Sequence, residues 1–185
     1  MGLDMYLTAK LYVSPYDYDG PLGRDKPRSD GILEAIGCPD IGMRVTGVDV
    51  RAAYWRKANQ IHSWFVQNVQ NGKDDCREYI VSREQLQELL KLALTVQKQA
   101  KLVPAVIENG SESTNGGPFI PVFAMGEEIS NKGVAEELLP TRGGFFFGST
   151  AYDEYYMQDI ENTVAQLEKA LAMPGEWDFY YSSSW

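Results

Sequence analysis

The chain has 185 residues, 44% of them apolar and 12% aromatic, and a formal net charge of −9. This length suits a single domain, 1–185, burying roughly 70% of the surface its unfolded chain exposes; the composition excludes wholesale disorder, and no apolar run approaches the ~20 residues of a membrane span. The acidity is one-sided: residues 1–104 carry 14 Lys and Arg against 13 Asp and Glu, whereas 105–185 carry 3 against 13, a net of −10, which argues against that part gripping nucleic acid.

Residues 3–13, LDMYLTAKLYV, alternate as a strand does, with Leu3, Met5, Leu7, Ala9 and Leu11 on one face. The opening MGLDMYLTAK carries Asp4 where a secretory signal has its basic end, so no signal peptide is expected. Residues 14–31 are rich in Pro, Gly and Asp and read as a long loop, and 32–43 as irregular. RVTGVDV (44–50) reads as a second strand. From 51 to 69 the period becomes helical: Trp55, Ala58, His62, Phe65, Val66 and Val69 share a face, opposite Arg56, Lys57, Gln60, Ser63 and Gln67.

REYIV (77–81) predicts a short strand. Ser82 with Gln85 three residues on forms a capping box for a helix over 83–101, whose apolar stripe is Leu86, Leu89, Leu90, Ala93, Leu94 and Val96. Pro104 stops that helix. NGSESTNGGP (109–118) reads as a flexible loop and FIPVFAM (119–125) as an edge strand, since Pro121 lacks a ladder donor. One or two helical turns fit 127–140, and GFFFG a short strand with Phe145 and Phe147 on one side and Phe146 on the other. The clearest helix runs over 151–172, with Tyr156, Ile160, Thr163, Val164, Leu167 and Leu171 inward. EWDFYYSSSW (176–185) alternates as a last strand. The order predicts an α+β fold: a mostly antiparallel sheet with about three principal helices packed mainly on one face.

Few residues carry recognisable chemistry. His62, the single histidine, lies on an apolar stripe and reads as a core or boundary residue. Cys38 and Cys76 lack zinc-finger spacing and read as reduced cytoplasmic thiols. The pairs Asp74–Asp75 and Glu127–Glu128 read as solvated turns. No catalytic residue, metal site or cofactor is assigned. Arg51, Arg56 and Lys57 near Trp55 and Trp64 have the composition of a single-strand stacking patch, in a chain that is acidic overall. Gly148, Ser149 and Thr150, with Arg142, form a candidate anion site if a helix starts there, because free backbone N–H groups attract anions. Ser149 and Thr150 equally suit a helix cap.

MGLDMYL, YWRKANQIHSWFV (54–66) and GFFFGSTAYDEYY (144–156) together resemble uncharacterised small proteins encoded by bacteriophages and prophages. The resemblance spans most of the chain and implies a viral protein working in a bacterial cytoplasm. It implies a non-enzymatic role: occupying a basic host nucleic-acid-binding protein, such as a CRISPR effector, with no direct contact to nucleic acid or membrane. The surface expected to serve is acidic and tyrosine-rich: Tyr152, Asp153, Glu154, Tyr155, Asp159, Glu161 and Glu168. A nucleotide or phosphometabolite site built on Arg142 and Gly148–Thr150 is the alternative, and a phage structural or assembly component a further one.

Overall fold

The computed structural model describes residues 2–13, 25–38, 45–113 and 117–185, without the side chains of 25–27 and 109. It is α+β. Strand β1 (Asp4–Tyr12) lies between β2 (Gly47–Arg56) and β6 (Trp177–Ser184), and β6 also pairs with β3 (Tyr79–Val81), so the main sheet has the order β2-β1-β6-β3 and is antiparallel throughout. The alternation of β1 is realised residue by residue: Leu3, Met5, Leu7 and Ala9 are wholly buried. With Ala53, Trp55, Val81, Phe179 and Tyr181 they form one face of the core. The other half comes from helices α2 (Asn59–Asn68), α3 (Arg83–Gln99) and α5 (Glu154–Leu171). Phe65 of α2 stacks on Tyr181 of β6, with ring centroids 3.9 Å apart. Among the described residues no helix is long and apolar enough to cross a membrane.

The capping box of α3 is complete: Gln85 N donates to Ser82 Oγ at 3.2 Å, and Ser82 N to Gln85 Oε1 at 2.9 Å. Its stripe buries Leu86, Leu89, Ala93 and Val96, but Leu94 turns out to solvent. The inward residues of α5 are buried as expected, Leu171 only in part.

Several expectations are corrected. Within the expected loop 14–31, residues 14–24 lie outside the described residues, while α1 (Asp25–Ala35) begins inside it. Pro27 falls in the first turn, where no N–H is needed. Gly37, at φ +76, ends the helix: its N–H reaches Glu34 O and that of Cys38 reaches Leu33 O, the paired bonds of a Schellman stop. Residues 51–56 are strand rather than helix. Pairing with β1 from Tyr12↔Gly47 to Asp4↔Arg56 overrides the local helical period, with a bulge between Leu7 and Thr8. Trp55 is therefore buried as a strand residue and donates to Thr163 Oγ1 at 2.9 Å.

A second sheet pairs β4 (Leu102–Glu112) with β5 (Ile120–Ile129), where the sequence offered only an edge strand and a loop. Pro104 and Pro121 are tolerated there because a two-stranded ribbon has an open edge on each strand. Helix α4 (Lys132–Leu138) follows. GFFFG is a turn rather than a strand. Phe146 is left-handed at φ +72, Phe145 is exposed, and Phe147 alone enters the core.

Candidate functional site

The three stretches that carry the resemblance meet in space. Lys57 N donates to Leu3 O at 2.8 Å, and Leu3 N to Phe146 O at 3.3 Å. Asn59, fully buried, clamps the third stretch: its Nδ2 donates to Ser149 O at 2.7 Å and Phe147 O at 3.2 Å, while its Oδ1 accepts from Arg142 N at 2.9 Å. Lys57 is held left-handed at φ +60. It faces Gly148, at φ +91, where an added Cβ would stand 3.0 Å from Lys57 Cβ and 3.3 Å from Lys57 O. Only glycine permits that approach. A non-glycine residue held left-handed against a close glycine backbone is the kind of strain that clusters at ligand sites.

The cleft beside this junction encloses about 330 Å³, at the small end of ligand pockets. Arg56, Lys57, Gln60, Thr141, Gly148 and Ser149 line it together with Asp153, Tyr156 and Asp159. Gln60 is itself buried and donates from Nε2 to Asp159 Oδ2 at 3.1 Å. Burial pushes the Asp159 carboxyl up to about 6, against the Gln60 hydrogen bond and with help from the Asp153 charge. Asp159 thus changes charge around pH 6 rather than in the ordinary carboxylate range. Tyr156 Oη donates to Leu139 O at 2.9 Å, and its hydroxyl is held protonated by burial first, with the nearby Tyr152 and Asp159 adding to it. The rim is tied down by Thr141, whose Oγ1 donates to Thr150 O at 3.0 Å and whose N–H donates to Tyr152 Oη at 3.2 Å.

The sequence-predicted anion site is partly here and partly not. Gly148 and Ser149 line the cleft; Arg142 and Thr150 do not. No helix starts at 148–150, because α5 is capped by Asp153, whose Oδ1 accepts from Tyr155 N and Tyr156 N, both at 3.0 Å. The helix N-terminus already has its anion. Positive charge at the cleft comes from Arg56 and Lys57, which the sequence marked only as a stacking patch. That patch is not built, since Trp55 and Trp64 are both in the core.

The acidic, tyrosine-rich surface is also thinner than expected. Asp153 is spent as the cap and 8% exposed, Asp159 faces the cleft, and Tyr152 is half-buried against Tyr156. Glu154, Tyr155, Glu161 and Glu168 remain outward.

His62 belongs to a separate buried chain. Burial first, with the Arg142 charge adding and Asp74 opposing, keeps it below its ordinary pKa. The neutral ring therefore accepts from Tyr181 O–H at Nδ1 (2.7 Å) and donates from Nε2 to Asp74 Oδ1 (3.1 Å), which also takes Trp185 Nε1–H at 3.1 Å. This network ties β6 and the C-terminal residue to α2 and the segment after it. Among the described residues no three His, Cys, Asp or Glu side chains gather at a metal-binding spacing. No protein-family model, curated protein or solved structure matches the chain.

Proposed function

We propose that the chain binds a small phosphorylated metabolite, of the size of a mononucleotide or a sugar phosphate, in the cleft lined by Arg56, Lys57 and Asp159. The observation that carries this reading is that Arg56 and Lys57 line one cleft of about 330 Å³ together with the cap residue Asp153 and Asp159, whose carboxyl burial pushes up to about 6. A phosphate dianion matches two neighbouring cations, and Arg also offers a fork of donors to its oxygens. Asp159 and Gln60, joined by their 3.1 Å hydrogen bond, suit a hydroxyl or amine of the same ligand. The left-handed Lys57 and the bare Gly148 hold this backbone in place before a ligand arrives.

A ligand bound only by the folded state raises the melting temperature. Inorganic phosphate, mononucleotides and sugar phosphates are therefore the panel for a thermal-shift experiment. At least one organic phosphate is expected to raise the melting temperature saturably, and Arg56→Ala to remove the rise while the protein still folds. A panel without any shift sinks the reading.

A second reading follows from the exposed Glu154, Glu161 and Glu168, seven residues apart along α5 with Tyr155 beside them. This stripe supports a phage-encoded, cytoplasmic protein that occupies a basic nucleic-acid-processing host protein such as a CRISPR effector. Glu154→Lys, Glu161→Lys and Glu168→Lys combined should abolish capture of such an effector from nuclease-treated lysate. Undiminished capture would remove this surface from consideration.

A further inference from the structure

The β4–β5 hairpin leaves a row of apolar side chains uncovered. Val106 and Met125 stand opposite each other in the ladder, and Phe123 stands two residues along on the same face, opposite Glu108. Their exposures are 66%, 73% and 60%. Phe119 and Ile120, near the tip, are equally open. A two-stranded ribbon is marginal by itself, and this one is tied to the body at its base, where Ile129 N donates to Tyr152 O and Ser130 N to Lys101 O. Contiguous exposed apolar surface of this kind marks an interaction site. Its rim is acidic: residues 102–130 contain Glu108, Glu112, Glu127 and Glu128 and no Lys or Arg.

The complementary surface lies on the same chain. On its outer side α3 presents a shallow, open groove lined by Leu90 and Leu94, the latter 41% exposed, together with Lys91 and Lys98. Among the described residues neither lysine forms an ion pair, and neither does Glu108 or Glu127. An apolar ridge with carboxylates beside it thus has its counterpart in an apolar groove with ammonium groups beside it.

We infer that the hairpin of one molecule docks on the α3 groove of a second copy, reciprocally, giving a twofold dimer. Only Ala100 and Lys101 separate α3 from β4, so arm and groove spring from one place on the body. A twofold axis beside that junction brings each arm to its partner's groove and closes the assembly. Helix α3, 17 residues, is about 25 Å long and covers about 25 Å by 10 Å of the arm. Two reciprocal contacts then bury on the order of 500 Å² per molecule, which reaches the ~1,000 Å² in total that a specific interface must clear. The dimer is independent of the cleft and of any ligand in it.

Sedimentation equilibrium of the full chain tests this. The protein is expected to be dimeric at micromolar concentration, with Met125→Glu and Leu94→Glu each weakening association at least tenfold while the melting temperature is kept. The decisive arm is charge exchange. Lys91→Glu with Lys98→Glu makes one variant, Glu108→Lys with Glu127→Lys the other. Each alone is expected to be monomeric, because its arm and groove repel, and the two mixed are expected to form a one-to-one dimer. A monomeric natural chain overturns the proposal, even if the hairpin then proves to bind an unrelated protein. A dimer indifferent to Met125→Glu, or no recovery on mixing, overturns it as well.

Discussion

The main sheet and the hairpin use the same sequence device and come to opposite ends. Along β1, every second residue is apolar and vanishes into the core, Met5 and Leu7 being wholly buried. Along β5 the pattern repeats in Phe123 and Met125, and both remain mostly in water. The difference lies in what each sheet meets. β1 runs between two strands and under helices α2, α3 and α5, so its apolar face is covered within one molecule. β5 has one partner strand, β4, and a single anchored end. Alternation therefore reports that a face requires covering, not that its own chain covers it.

Two substitutions of the same kind separate these regions most sharply. Phe65→Ala removes a ring with no exposure, stacked 3.9 Å from Tyr181 and edge-on to Trp64 at 5.2 Å. Urea denaturation should register a loss of about 3–5 kcal/mol, from lost transfer energy and an unfilled cavity. Phe123→Ala should change the stability of the monomer by no more than about 0.5 kcal/mol, as substitutions at exposed positions do. Equal losses at the two sites would mean that the hairpin is packed against the body after all.

The same contrast governs what the sequence disclosed. β1, α3, α5 and β6 were legible because local pattern and tertiary surroundings agree there. The capping box at Ser82 needs nothing beyond residues 82–85, and the β1 alternation points to one face whichever strands flank it. RAAYWRK failed because its helical period is real but weaker than the ladder to β1, which lies some 45 positions away in the chain. GFFFG failed because the left-handed Phe146 sits at a turn whose carbonyl meets Leu3 N, a contact no local window contains. At the start of α5, Ser149 and Thr150 suited a cap by residue type, but the packed structure caps the helix with Asp153. The cleft was half legible for a similar reason. Its parts read separately in the sequence, Arg56 and Lys57 within a basic patch and Gly148 and Ser149 within an anion site at a helix start, but it is the Asn59 clamp that brings them together.

Asp159 supplies the subtler distinction between the body and the arm. A carboxylate on the hairpin, such as Glu127, is open to water; Asp159 is shut into the cleft, and burial lifts it from an ordinary 3.8 to about 6. Between those two values the folded protein holds a proton that the unfolded chain has released. Stability must therefore fall as pH rises through this window, and the loss is complete once Asp159 is ionised, above about 6. Allowing for the water that reaches the cleft, the loss is on the order of 1–2 kcal/mol. Asp159→Asn keeps a neutral group beside Gln60 at every pH. It should match the natural protein near about pH 4 and exceed its stability by about 1–2 kcal/mol near about pH 8. A constant difference for Asp159→Asn at both pH values would mean that the carboxylate is solvated and not shut into the cleft.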